Sequence, residues 1–240
     1  MLKRLAPSIR KRMARVLWPD GRGVVRRHGV LYLLNVKPEN WYDKHILLWG
    51  AGEPDERAFL IDNIRRRESD TFLDIGANLG VYAVCVALQT DCTTIIAYDA
   101  DERNHDRLRA HVLINGLSDK VQSRIAAVSD HNGTVPFARA PAHHCYNSQV
   151  ADDGSGFAVP AVRLDDEFPI SGHRIALKID IEGHELAALR GMHGLLRCND
   201  CFLQVECWPE NASTFIAAMK AEGYRLLHQL TENYYFAREA

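Results

Sequence analysis

Two stretches of this chain carry residue types at spacings that can do chemistry. The first is Thr71 to Gly80 (TFLDIGANLG), an apolar run with Asp74 near its end, followed at once by a glycine-rich turn and a helix-forming segment. Gly76 and Gly80 let backbone approach a ligand without Cβ atoms, and the helix start offers unpaired N–H donors. A second apolar run, Ile95 to Asp99, ends in an acid 25 residues after Asp74, where a carboxylate can accept hydrogen bonds from both hydroxyls of a ribose. The G-x-G-x-x-G of a dinucleotide site and the Gly-Lys-Ser/Thr of a P-loop are both missing, so the turn reads as a nucleoside cradle rather than a phosphate one. The second stretch, Lys178-Ile-Asp180-Ile-Glu182-Gly-His184-Glu185, crowds charge at the end of another apolar run. Charge at the end of a buried strand calls for a chemical or structural reason.

The elements that must position these residues follow from periodicity. From residue 71 onward, apolar strands alternate with amphipathic helices, which calls for a mainly parallel sheet with helices on both faces. Strands are expected at 71–75, 94–99, 121–127, 159–164, 175–180, 201–206 and 224–229. Helices are expected at about 79–89, 102–115, 184–196 and 209–222. The stretch 128–158 breaks this rhythm with a short strand at Thr134–Ala138 and a long loop, a frequent place for substrate selection. Ahead of the sheet lie a basic N-terminal helix, a β-hairpin over 24–35 turning at His28-Gly29, and a cap helix over 53–67 that starts near Pro54. This divides the chain into 1–67 and a catalytic domain over 68–240.

Composition bounds the function. The 240 residues carry a net charge of −2, yet residues 1–27 hold nine Lys/Arg against one acid, Asp20, so the body is acidic. That argues against a nucleic-acid groove in the main domain. The arm, with Leu2, Leu5, Ile9, Met13, Val16 and Leu17 at mostly helical spacing, is a terminal helix with a solvated basic face, or else a contact to an anionic membrane surface or a partner. No apolar run approaches the roughly 20 residues of a membrane span, and no signal-peptide pattern is visible. Six dispersed cysteines suit a reduced, cytoplasmic protein. Cys198 and Cys201 form a lone C-x-x-C with no second pair, read as ordinary thiols rather than a zinc site.

The motifs Asp74-Ile-Gly-Ala-Asn-Leu-Gly80, Asp99-Ala-Asp-Glu-Arg-Asn104, Asn115-Gly116, Ala127-Val-Ser-Asp130 with Gly133, Arg163-Leu-Asp-Asp166, and Lys178 to Glu185 with Leu189-Arg-Gly191 together resemble the FkbM-type methyltransferases. The resemblance runs in order across roughly residues 70–207. It implies a Rossmann-like class I methyltransferase fold, S-adenosylmethionine as donor, and O-methylation of sugars or other small molecules. Carried over by motif, Gly76, Asn78 and Gly80 surround the methionine end of the cofactor, Asp99 takes the ribose and Ala127 to Asp130 lies near adenine; Asp74 and Asp180 are also counted as cofactor-binding residues. The family commonly has Glu-Pro where this chain has Asp99-Ala100, so the ribose is met by a side chain one methylene shorter.

A sulfonium methyl donor is already activated, so the protein must align an acceptor hydroxyl and remove its proton. Alternation puts Lys178, Asp180 and Glu182 on one side of an extended chain unless Gly183 has begun a turn. Asp180 and Glu182 are then candidates to orient or deprotonate the acceptor, Lys178 to hold them ionised, and His184 to act as an alternative base. The structural alternative is that Asp180 and Glu182 cap the helix starting near His184. Glu206, ending the next strand, could join Asp180 and Glu182 around a divalent cation, which is not the favoured reading. His143, His144 and Cys145 are read as surface-loop residues that could contact substrate or metal, and Asp165 and Asp166 as capping or ligand groups. Competing functions are a non-catalytic nucleoside-binding module of the same fold and a nicotinamide-dependent oxidoreductase. A nucleic-acid methyltransferase is disfavoured because no Asn/Asp-Pro-Pro-aromatic acceptor motif is present.

Overall fold

The structure is a computed structural model and describes residues 7–35, 41–50, 52–139, 148–151 and 155–238. In chain order the elements are α1 (Pro7–Leu17), β1 (Arg22–Arg27), β2 (Val30–Asn35), α2 (Trp41–Leu48), α3 (Pro54–Arg67), β3 (Thr71–Ile75), α4 (Val81–Gln89), β4 (Thr94–Asp99), α5 (Glu102–Ile114), β5 (Val121–Ile125), β6 (Ala127–Val128), β7 (Gly133–Ala138), β8 (Gln149–Val150) and β9 (Phe157–Val162). They continue with α6 (Leu164–Glu167), β10 (Arg174–Ile179), α7 (Glu185–Arg190), α8 (His193–Cys198), β11 (Asp200–Glu206), α9 (Pro209–Ala221), β12 (Tyr224–Leu230) and β13 (Asn233–Arg238).

One large sheet has the order β12-β13-β11-β10-β3-β4-β5. β11, β10, β3, β4 and β5 pair in parallel, and β13 pairs antiparallel to both β11 and β12. Strands such as Thr71–Ile75 and Ile175–Ile179 are buried at every position, as a sheet covered on both faces requires. Alternation then sends Phe72, Ala97 and Ala176 into a core shared with α3, α4, α5 and the β1–β2 hairpin, and Leu73, Ile75, Ile96, Tyr98, Leu177 and Leu203 into a second core with α7, α8 and α9. This is the expected α/β architecture with helices on both faces.

Four expectations need correction. The run expected at 121–127 splits at Ala126, and β6 leaves the main sheet to pair with β9. The strand expected at 159–164 is β9, which lies in a separate small sheet, β6-β9-β7-β8. Its half-buried alternation, unlike the continuous burial of β3, marks a one-faced strand. The helix expected at 184–196 is two short helices, because Gly191 packs on Ser129: a Cβ there would stand 1.9 Å from the Ser129 carbonyl oxygen. β13 was not anticipated, since the hairpin turns through Thr231 at φ 52 with no glycine to announce it.

The hairpin is held to the domain by specific contacts. Asn115 accepts from the Leu31 amide (2.9 Å) and donates to the Leu31 carbonyl (2.8 Å), pairing with one residue of β2 as a neighbouring strand would. Arg107 donates to Asp43 of α2 (2.6 Å) and to the Leu33 carbonyl (3.1 Å). In α1, Ile9, Met13, Val16 and Leu17 are exposed. No helix among the described residues is long and apolar enough to cross a membrane.

Candidate functional site

The order in which the parallel strands are laid down reverses at β3, which has β4 on one side and β10 on the other, and a crevice opens at the carboxyl ends of open α/β strands at such a point. Three strand ends are tied together there. The Gly76 and Ala77 amides both donate to the Tyr98 carbonyl (2.9 Å each), and the Asp180 amide donates to the Ile75 carbonyl (2.9 Å). Gly76 sits at φ 81, and a Cβ on it would lie 1.8 Å from the Asp180 carbonyl oxygen. Glycine is therefore required for the close approach of β3 and β10, as well as for the turn.

The next residue but one, Asn78, is also left-handed (φ 48), and its amide donates to Asp99 Oδ2 at 2.7 Å. The Asp101 amide (2.8 Å) and Asn104 Nδ2 (3.3 Å) donate to Asp99 Oδ1. Asp99 thus stands at the end of β4 with its carboxylate fixed by backbone. Burial pushes its pKa up to about 6 against the opposing pull of these amides. Asn78 Oδ1 is buried with no hydrogen-bond partner. Both residues line a cleft whose walls include Ile75, Ala127, Val128, Phe137, Ile181, Asp180 and Glu182. No Lys or Arg is among the described residues that line it.

Two residues of the turn have protein neighbours of their own. Gly80, at φ 73, faces Leu108 of α5, and a Cβ there would be 2.7 Å from Leu108 Cγ. It lies outside the lining of the cleft. Asp74 is 1% exposed and likewise lines no described cavity; its Oδ2 accepts from the Ala83 amide (3.0 Å), anchoring the start of α4. Burial pushes its pKa up to about 6, with Lys178 opposing.

Beside the cleft is a charged network. Lys178, 3% exposed, donates to Asp180 Oδ2 at 2.8 Å and has its ammonium 4.8 Å from the centre of the Tyr82 ring. Burial opposes its charge, but the carboxylates of Asp180, Glu53, Asp74 and Glu206 outweigh that and hold it above the usual lysine value. Tyr82 donates to Glu53 Oε2 (2.8 Å) and accepts from Gln204 Nε2 (3.1 Å). Glu206 has one buried oxygen, Oε2, without a partner, and burial together with the Asp180 charge pushes its pKa up to about 8. Glu53, at φ 55 just before α3, was not anticipated by sequence reasoning. Nothing in its local pattern marks it, and only the docking of α3 on α4 brings it to Tyr82.

The expected alignment of Lys178, Asp180 and Glu182 holds only for the first two. β10 ends at Ile179, and Glu182 (φ 54) and Gly183 (φ 104) have already turned, and Glu182 lines the cleft. The N-cap residue of α7 is His184, which makes no side-chain cap hydrogen bond, and Glu185 of the first turn accepts from the Gly183 amide at 2.9 Å. His184 is turned from the cofactor cleft: its Nε2 lies 3.0 Å from Ser129 Oγ, and it lines a neighbouring cavity. Asp165 accepts from the Gly194 (3.1 Å) and Leu195 (2.8 Å) amides at the start of α8, which is a capping role, and Asp166 accepts from Asn132 (2.7 Å). Asp180, Glu182 and Glu206 do not gather as a cation cage; among the described residues no group of three or more His, Cys, Asp or Glu could hold a metal ion. His143, His144 and Cys145 lie outside the described residues.

A hexuronic acid methyltransferase from Haloferax volcanii is 26% identical over 153 residues, 61% of this chain and 59% of that protein. The crystal structure of a methyltransferase FkbM from Methylobacillus flagellatus KT superposes with a TM-score of 0.52 at 15% identity, over 71% of this chain and 44% of that one. A methyltransferase of Agrobacterium tumefaciens described as SAM-dependent superposes with a TM-score of 0.51 at 9% identity, over 91% of this chain and 70% of that one. The chain thus spans under two thirds of the first two relatives and shares the fold of both solved structures. Residues 74–226, which contain the turn, the ribose-distance acid and the Lys178–Asp180 pair, match the methyltransferase FkbM domain, and the chain belongs to that family.

Proposed function

We propose that this protein transfers the methyl group of S-adenosylmethionine to a hydroxyl of a saccharide or other small molecule. The observation that carries the reading is Asp99, a buried, backbone-fixed carboxylate lining a cleft with no Lys or Arg among its described lining residues. Such a site suits a nucleoside, whose ribose hydroxyls need an acceptor, and leaves the two charges of a dinucleotide pyrophosphate unmatched. The partnerless Asn78 Oδ1 adds a buried acceptor facing the same space, which fits the ammonium at the methionine end of the cofactor. Ala127, Val128 and Phe137 line the same cleft and offer apolar surface for an adenine ring.

Bound there, S-adenosylmethionine supplies an electrophilic methyl group on a sulfonium. Asp180 and Glu182, which line the cleft, orient the acceptor hydroxyl, and one of the two carboxylates takes its proton as the carbon–oxygen bond forms and the methyl–sulfur bond breaks, leaving the thioether. Lys178 holds the Asp180 carboxylate in place through their 2.8 Å ion pair. Burial and the Asp180 charge push the Glu206 pKa up to about 8. The family supports methyl transfer, and the hexuronic acid relative supports a saccharide-type acceptor.

Calorimetric titration with S-adenosylhomocysteine, with NAD as control, tests the cofactor assignment. S-adenosylhomocysteine should bind and NAD should not. Asp99→Ala should weaken binding by roughly 10- to 150-fold, the loss of one or two charge-assisted hydrogen bonds at ~1.5–3 kcal/mol. Binding of NAD instead, or an Asp99→Ala variant with native affinity, would remove the reading.

A further inference from the structure

The apolar side of α1 faces outward. Ile9, Met13, Val16 and Leu17 fall at i, i+4, i+7 and i+8, a spacing that puts all four on one side of a helix, and all four are exposed, Val16 at 80% and Leu17 at 59%. A helix of a folded domain ordinarily turns such a side toward the core. Here the next residue fixes the orientation: Trp18 packs on the core, and its indole lies against Gly23 of β1 where any side chain would collide with it. α1 also packs on α2.

The neighbouring surface has the same character. On β1, Arg22, Val24 and Arg26 alternate with buried and half-buried residues and form the outward row of the strand. Val24 is thus an exposed apolar residue between two exposed arginines, next in the chain to the glycine that holds the Trp18 indole. Arg12 of α1 is exposed as well, and Trp49, just after α2, is 63% exposed. Residues 1–27 hold nine Lys/Arg against one acid, while the rest of the chain carries more acid than base.

A surface that is apolar and cationic together calls for an occupant that is apolar and anionic together. A second copy of the chain does not supply one: among the described residues, the other exposed large apolar side chains stand singly on α4, α5, β5, β9 and β12, with no second row of them. The boundary of an anionic bilayer supplies both, with phosphates for arginine and acyl chain for aliphatic groups, and indole rings favour that depth. At 11 residues α1 is too short to span a bilayer and can lie along its surface. We propose that α1 and the outward row of β1 form a membrane-contact face for anionic phospholipid bilayers, with the apolar side of α1 entering the acyl boundary and Arg12, Arg22 and Arg26 meeting phosphates.

Sedimentation of the full chain with vesicles tests this. Phosphatidylcholine vesicles with roughly 30% phosphatidylglycerol should carry the protein down at about 0.05 M salt and release most of it at about 0.5 M, and phosphatidylcholine alone should bind roughly tenfold less or weaker still. Val16→Ser with Leu17→Ser, and separately Arg22→Gln with Arg26→Gln, should each weaken binding by roughly tenfold or more with the thermal midpoint unchanged, because every one of these side chains is exposed. Leu113→Ser, which replaces an equally exposed leucine on α5, should bind as the native chain does. Equal binding to both kinds of vesicle, native binding by either double variant, or an equal loss with Leu113→Ser would each overturn the proposal. So would light scattering that shows a dimer dispersed by Val16→Ser with Leu17→Ser, since a second copy would then be what covers the face.

Discussion

Glu206→Gln gives the most direct test of the electrostatics beside the cleft. Glu206 is raised from 4.5 to about 8 by burial and by the Asp180 charge, with Lys178 pulling the other way. A carboxyl whose folded pKa lies above its unfolded value contributes its full stability below the unfolded pKa and loses it as pH rises toward the folded one. The affected window is therefore about pH 4.5 to 8, where the unfolded chain is ionised here and the folded one is not. The full shift corresponds to about 5 kcal/mol, at 1.36 kcal/mol per pH unit. Residual solvent access and the shared charge of the Lys178–Asp180 pair reduce that to an expected ~1–3 kcal/mol. Glutamine copies the neutral acid, so the variant should match the native protein near pH 4.5 and unfold later above pH 7. The gain is roughly 2–10 °C in a chain of this size. Calorimetric scans of both proteins from pH 4.5 to 9 measure it. A difference that does not change with pH, or native stability that rises from pH 5 to 8 relative to the variant, would refute the placement of a protonated Glu206.

Asp180→Asn should lower kcat by roughly 10²–10⁴-fold while S-adenosylhomocysteine affinity changes little, because the side chain is assigned to the acceptor proton and only its backbone touches Gly76. A turnover assay paired with calorimetry checks the split, and native kcat would remove Asp180 from the reaction. Asn115→Ala removes two hydrogen bonds to Leu31 and should cost ~1–3 kcal/mol, with amide exchange quickening selectively over Val30–Asn35. Uniform exchange across the chain would contradict a local clamp.

The sheet and its crevice were legible because continuous apolar strands and a turn needing positive φ leave strong local marks. Thr71–Ile75, Thr94–Asp99 and the Gly76–Asn78 turn fall where periodicity put them. Chemistry set by distant packing was not legible. Gly80 and Asp74 look like ligand residues in the motif, yet what they meet is Leu108 and the Ala83 amide, and only the tertiary arrangement supplies those neighbours. Glu182 was misplaced because alternation assumes extended chain, and the turn starts one residue before the glycine that signals it. Glu53 was missed for a related reason: its partner, Tyr82, is 29 residues away and on another element.

The family-matched stretch begins at Asp74, inside β3, yet one wall of the space beside Asn78 comes from upstream: Tyr42, His45 and Glu53 line it together with Tyr82 and Lys178. The cofactor turn and the upstream wall can therefore diverge at different rates. A lineage can reshape the wall by replacing α2 or the residues before α3 while leaving every contact among Gly76, Asn78 and Asp99 untouched. Such exchange is constrained mainly by the core that these elements share, in which Leu34, Ile46, Leu60 and Ile64 pack with Phe72 and Val86. For protein engineering, a chimera in this family should be joined where that core is preserved, and a chain started at residue 68 would leave Phe72 and Val86 without their cover.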